Sequence, residues 1–267
     1  PPRSTLFPYT TLFRSLVENI PETRTSSQTD TIERDPLARY IWKRKTNRKL
    51  FDTQKVSLAL LEELRNSIRG IPGTDIHFIT DRLQLKKLAR LVGKADRIRT
   101  ERRDLHEHLF KMIRFSMDET LKKRDGFYIK NLEAGMHGEA FLRTTRSWPV
   151  MNVANKLGFG KIIAKTAYDA IINSSGAGLV VTHGFQEENF LNGGRALERV
   201  WLTLTQYGFE LQPMTAVTLF FLRKQLEGDT AFDRRHRELL NDIRDEYESI
   251  FSCCNFKQEG QIGRAHV

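Results

Sequence analysis

The densest chemistry in the sequence lies in the run KRKTNRKLFD, residues 43–52. Arg44 and Arg48 carry planar guanidinium forks that match phosphate oxygens. Thr46 places a hydroxyl between them, and Asn47 adds an amide. In an extended segment alternate residues share a side, so Arg44, Thr46 and Arg48 can converge on one anion. On charge alone the run reads first as a solvated basic stretch before a helix, because basic clusters are common on surfaces. A second run, ALERVWLTLTQYGFELQPMTA over 196–216, leads from an amphipathic helix through a short extended piece to Pro213, Met214, Thr215 and Ala216. Proline fixes φ, so this turn can hold backbone N–H groups toward a planar ligand. The competing reading is a core helix–loop–helix connection. Other candidates are weaker. His106 and His108 flank Glu107 in a helical pattern, where i and i+2 do not share a face. They read as polar helix surface, not as metal ligands.

The elements that would position these runs follow from periodicity. Val56, Leu60, Leu61, Leu64 and Ile68 recur at helical spacing, with Gly70 to close the helix. Ile76, Phe78 and Thr80 alternate as in a short strand. Asp81 can cap a helix carrying Leu85, Leu88, Leu91 and Val92 that ends near Gly93. A long charged helix follows, with Leu105, Leu109, Met112 and Ile113 inward. Asp125-Gly126 marks a turn and Trp148-Pro149 a boundary. A helix over 162–172 turns Ile162, Ile163, Ala167 and Ile171 inward, and Leu179-Val180-Val181 is a short buried strand. Leu197, Val200, Trp201 and Leu204 stripe the helix that Gly208 ends, and Phe209 to Gln212 is extended before Pro213. Helices over 219–226 and 239–251 complete a helix-rich α+β chain with a small sheet.

With those elements in place, the basic run resembles the N-terminal motif of the nitroreductase family, Lys-Arg-x-Ser-x-Lys-x-Phe-Asp. Arg44 takes the Arg position, Thr46 the Ser, Arg48 the Lys, and Phe51-Asp52 the closing pair, with one extra residue before that pair. The Arg44-Lys45-Thr46-Asn47-Arg48 string is similar to the second half of a two-lobed branch of the family, in which one chain holds both halves of the usual dimer. The resemblance spans residues 36–251. It implies that Arg44, Thr46, Asn47 and Arg48 hold the phosphate, ribityl chain and pyrimidine edge of FMN. It implies that Pro213, Met214, Thr215 and Ala216 lie beside the flavin ring, with Thr215 near its N5; the family often has Glu-Gly where Thr215-Ala216 stand. The expected activity is NAD(P)H-dependent reduction of a nitroaromatic, quinone or similar small-molecule acceptor. A non-catalytic flavin-binding or interaction module is the alternative, in a larger protein with an upstream adenylating domain.

Both ends of the sequence stand apart. Residues 5–15, TLFPYTTLFRS, and the final IGRAHV resemble translated sequencing adapters. That implies an adapter-derived tail over 1–15, a polar linker over 16–35, a truncated segment over 252–261 and a second tail over 262–267. Neither tail is expected to pack. The domain is then an incomplete, one-lobe nitroreductase-like fold. Its pocket would need a second copy or an upstream lobe, and helix faces around Trp201 and Phe220-Phe221 are expected to lie exposed.

Composition fits this picture. The formal net charge of +10 is interspersed with acids, as in 94–124, so nucleic acid is not expected as a partner. No run of about 18 apolar residues provides a membrane span. The two cysteines, Cys253 and Cys254, are adjacent and form no disulfide framework, as in a cytoplasmic protein.

Overall fold

A computed structural model describes residues 35–252 and the backbone of 260–266. The expected N-terminal tail, nearly all of the 16–35 linker and most of 252–261 lie outside these residues. From Pro36 on, the described residues belong to one compact unit.

In chain order the elements are α1 (Leu58–Ile68), β1 (Thr74–Ile79), α2 (Arg82–Glu101), α3 (Arg103–Met112), β2 (Ile113–Arg114), α4 (Met117–Lys123) and β3 (Phe127–Tyr128). There follow α5 (Gly135–Thr144), α6 (Trp148–Lys156), α7 (Phe159–Ile172), β4 (Ala177–Thr182), α8 (Glu187–Gln206), β5 (Gln212–Met214), α9 (Ala216–Glu227), α10 (Arg234–Ile250) and β6 (Gly260–His266). The main sheet has the order β1-β4-β6-β5, with every pairing antiparallel. A small parallel pair, β2 and β3, stands apart. The chain is therefore α+β, rich in helix, with a small sheet.

The sheet is covered on both faces, and β4 shows why. All six of its residues are buried. Leu179 and Val181 enter one core with Ile79 and the apolar faces of α2, α7, α9 and α10. Val180 enters the other core with Ile76, α1 and α8. Successive side chains point to opposite faces, so a strand buried on both sides needs an unbroken apolar run.

Helix starts are fixed locally. Ser57 accepts from the Leu60 N–H and Asp81 from the Gln84 N–H, as N-caps. Each such cap contributes about 1 kcal/mol.

The structure departs from the sequence reading at several places. The helix after Asp81 runs past Gly93 to Glu101. Gly93 is there for contact: a Cβ would lie 2.8 Å from the backbone oxygen of Ala164, so α2 and α7 approach backbone to backbone. A break at Arg102 then separates α2 from α3. His106 is buried, not a surface residue; its ring lies against Phe110 and Trp148 and its Nε2 donates to the Thr145 carbonyl at 2.8 Å. Trp201, Phe220 and Phe221 are buried in the two cores, not exposed. Ile162, expected inward, is exposed, because α7 turns Ala167 and Ile171 to the core.

The last segment also differs. Residues 262–267 are expected to be a tail without packing, yet Gly260–His266 forms β6 between β4 and β5. Backbone pairing needs only N–H and C=O groups, so an extended segment of almost any composition can fill such a slot.

Candidate functional site

The structure brings the two chemistry-bearing runs together. Thr46 forms a parallel bridge with Leu211, and the Asn47 N–H donates to the Leu211 carbonyl at 3.2 Å. The basic run thus lies along the edge of the sheet beside the start of β5. Asn47 Oδ1 accepts from the Lys49 N–H at 2.9 Å, which holds the loop in a turn. Pro213 and Met214 follow in β5, and Thr215 precedes the first turn of α9. Pro213 to Ala216 are all half-buried, with Met214 and Ala216 packed on the larger core. The Thr215 side chain makes no cap bond to α9; its carbonyl accepts from the Leu219 N–H and the Thr218 hydroxyl.

Two cations of the run, Arg44 and Lys45, pair with carboxylates, and a third carboxylate meets the backbone of Arg48. Arg44 lies with Nε 3.0 Å from Glu198 Oε1, and its guanidinium sits 4.3 Å from the centroid of the Trp201 ring. Lys45 pairs with Glu210 at 2.5 Å, and this hydrogen bond raises the Lys45 pKa above its ordinary value. The Arg48 N–H donates to Glu133 Oε2 at 2.9 Å, and its Nη1 donates to the Asn131 carbonyl at 3.0 Å. Glu133 has a φ of 52°, a left-handed conformation that few side chains adopt. It ends the 3-10 turn Ile129–Leu132 and so faces the basic loop from 85 residues away.

Two buried donors at this locus, Arg44 Nε and Trp201 Nε1, have no hydrogen-bond partner; Gln212 Oε1 in β5 is another such atom, on the strand face it shares with Met214. The Glu198 oxygen is near Arg44 Nε but off the axis of its N–H, which is why proximity and missing hydrogen bond coexist. A buried donor without an acceptor costs about 1–3 kcal/mol, so two such donors side by side are features of a site that takes an acceptor-bearing ligand. The sequence singled out Arg44, Thr46, Asn47, Arg48 and the 213–216 turn, and the structure sets Thr46 and Asn47 beside Leu211. The sequence reading missed Glu198, Glu210 and Glu133. Glu198 was within reach, because it precedes Trp201 by three residues and shares its helix face.

A second polar locus is a shallow open cleft lined by Glu101, Arg102, Arg103, Asp104, Glu107 and Asp233. Its groups mostly satisfy one another. Asp104 accepts from Arg102 at 2.8 and 3.0 Å and from Arg223 at 2.9 Å. Desolvation alone would raise the Asp104 pKa, but these two guanidinium groups hold it down at about 2. Buried His236 joins Asp233 (2.6 Å) to Glu101 (3.3 Å) and so ties the start of α10 to the end of α2. This is a structural network. Among the described residues no group of three His, Cys, Asp or Glu side chains is placed to hold a metal ion. None of their helices is long and apolar enough to cross a membrane.

No family model matches the chain. Over 158 residues, 59% of the chain, it is 26% identical to a protein of Mycobacterium tuberculosis (strain CDC 1551 / Oshkosh) named Uncharacterized protein MT1398. The chain spans 22% of the length of that relative.

Proposed function

We propose that this chain is part of an FMN-dependent, NAD(P)H-oxidising reductase of the nitroreductase type. The observation that carries the proposal is the Thr46–Leu211 bridge, which sets the phosphate-type loop beside the proline turn. Arg44, Thr46, Asn47 and Arg48 would hold the phosphate and ribityl chain, and the Pro213–Ala216 turn would lie against the ring. The unpartnered donors Arg44 Nε and Trp201 Nε1 fit an anionic ligand of this kind. Bound flavin would supply the redox chemistry, taking hydride from NAD(P)H and passing electrons to a nitroaromatic, quinone or similar acceptor. The chain's own residues bind and orient. The half-buried turn keeps water from one side of the ring, and the first-turn N–H groups of α9 favour negative charge near them. In this reading the protein works in the cytoplasm with neither nucleic acid nor membrane as partner. A second copy or an upstream lobe completes the pocket.

One observation favours a second reading, a flavin-binding or interaction module without turnover. Glu198 and Glu210 already pair with Arg44 and Lys45, and Glu133 already accepts from the Arg48 backbone N–H. A larger protein with an upstream adenylating domain accommodates either reading, as does the much greater length of the Mycobacterium tuberculosis relative. The test is flavin fluorescence titration of the full chain with FMN and with riboflavin, followed by anaerobic addition of NADPH. The oxidoreductase reading expects FMN to bind more tightly than riboflavin and its yellow colour to bleach. FMN binding without bleaching supports the second reading. No preference for FMN over riboflavin removes the phosphate loop from both.

A further inference from the structure

Three consecutive backbone N–H groups of the basic loop go to different kinds of partner. Asn47 donates to the Leu211 carbonyl and Lys49 to Asn47 Oδ1. Both bonds fix the loop on the sheet edge. The middle donor, Arg48, meets a charge from a remote element, Glu133 Oε2 at 2.9 Å. The Arg48 guanidinium reaches the same turn, with Nη1 donating to the Asn131 carbonyl at 3.0 Å. Lys45 feels this carboxylate too: Glu210 is the main cause of its raised pKa, and the Glu133 charge adds to it. One carboxylate thus binds the backbone of the loop beside its cationic side chains. Backbone N–H groups flanked by cations are the donors that phosphate oxygens take.

Glu133 stands in a strained position. It ends the Ile129–Leu132 turn with φ 52° and ψ 27°, a left-handed conformation that glycine adopts freely and glutamate does not. Helical turns that end this way usually take glycine there. A glutamate in its place points to a use for the side chain. The turn beneath it is firm. Ile129 is fully buried, Arg114 donates to Asp125 at 2.7 and 2.9 Å, and a side chain at Gly126 would collide with the Met112 carbonyl. Glu133 itself is exposed, so its carboxylate can swing into water while the turn stays in place. A phosphate brings up to two charges and three acceptor oxygens against the single bond it replaces. We propose that Glu133 is a built-in competitor for the anion position of the loop, holding it until a phosphate-bearing ligand displaces the carboxylate. The inference rests on the reading of the basic loop as a phosphate site, and adds the residue that sets the threshold for filling it.

The experiment is calorimetric titration of the full chain, Glu133→Gln and Glu133→Gly with inorganic phosphate, and then with FMN and riboflavin. Glutamine keeps an acceptor for the Arg48 N–H and removes the charge. Glycine removes the side chain and relieves the turn. Both variants should bind phosphate about fivefold more tightly than the parent chain, and Glu133→Gly should melt no lower than it. If Glu133 were only a brace for the loop, both changes would weaken phosphate binding and the glycine variant would melt lower. That result overturns the proposal, as do unchanged affinities, phosphate binding to none of the three chains, or two variants that do not fold. Glu139→Gln removes one charge from α5 and should leave the phosphate affinity unchanged. An equal gain there would reduce the effect to net charge and overturn the proposal as well. The flavin reading fails separately. Tighter phosphate binding in both variants, with FMN bound no better than riboflavin, keeps Glu133 as the competitor at a site for another phosphate compound. FMN preferred over riboflavin, with no gain in either variant, keeps the flavin site and removes the competitor.

Discussion

Arg44 is the residue on which the candidate site turns, because it has two competing partners. Glu198 stands 3.0 Å from its Nε, while a phosphate would draw on the same guanidinium. Both side chains are about a third or more exposed, which limits the pair to at most about 1 kcal/mol. A bound phosphate at a partly desolvated fork contributes more, about 1.5–3 kcal/mol. The ligand should therefore win, and two substitutions should act in opposite directions. Arg44→Ala weakens FMN binding by at least tenfold, whereas Glu198→Gln tightens it by up to about fivefold. Fluorescence titration reads both, and equal affinities in both variants would take Arg44 out of the site. His106 yields a second prediction. Desolvation lowers its pKa, more than the Thr145 carbonyl and nearby Glu107 raise it. Above the ordinary histidine value of about 6.5 the ring is neutral whether folded or unfolded, so its contribution is complete. As pH falls below that value the unfolded chain binds a proton that the folded chain resists, and stability declines toward the lowered folded pKa. Melting temperature should fall as pH drops through about 6.5 toward the lowered folded value, and His106→Phe should flatten that part of the profile. An equally steep profile in the variant would locate the titrating group elsewhere.

At the level of elements, the sequence was legible wherever one local rule decided the outcome. The run Leu179-Val180-Val181 after two glycines read as a short buried strand, and the Leu197–Leu204 stripe as the apolar face of a helix, and both stand. Asp81 had one role open to it, as a cap. Legibility ended where the decisive neighbour was remote. Gly93 looked like a helix end because glycine usually ends helices; its actual reason, the Ala164 backbone, lies some seventy residues on. The carboxylate that meets Arg48 lies 85 residues away, on a turn with no motif of its own. The candidate site was legible in its two runs and not in the acids beside them. Gly93 gives the prediction that belongs here. In an exposed helix Gly→Ala would stabilise by up to about 1 kcal/mol. Here the new Cβ meets a backbone oxygen at 2.8 Å, which only movement of a whole helix can relieve. Gly93→Ala should then destabilise by about 1–3 kcal/mol, with Gly93→Val worse. Chemical denaturation reads the change, and a stabilised alanine variant would show that α2 and α7 are further apart than described.

At the scale of the whole molecule the question is what closes the sheet. β4 and β5 do not pair with each other; each pairs with β6, which comes last in the chain. The adapter resemblance makes 262–267 a tail with no structural role, whereas the architecture makes Gly260–His266 the strand that joins the two halves of the sheet. The energetics favour the architecture. Removing β6 leaves the unpaired edge of β4 open, and all six β4 residues lie in the interior. Each backbone group stranded there costs about 1–3 kcal/mol unless water or another strand reaches it. The loss would also free β5, and with it the Pro213–Ala216 turn and its bridge to Thr46, so fold and candidate site would weaken together. A chain ending at Ser252 should melt several degrees lower than the full chain, bind FMN more weakly and self-associate through the open β4 edge. Light scattering during the melt reads that edge-driven aggregation. An unchanged melting temperature in the shortened chain would show that β4 and β5 close the sheet without β6, and that the last residues are the passive tail their sequence resembles.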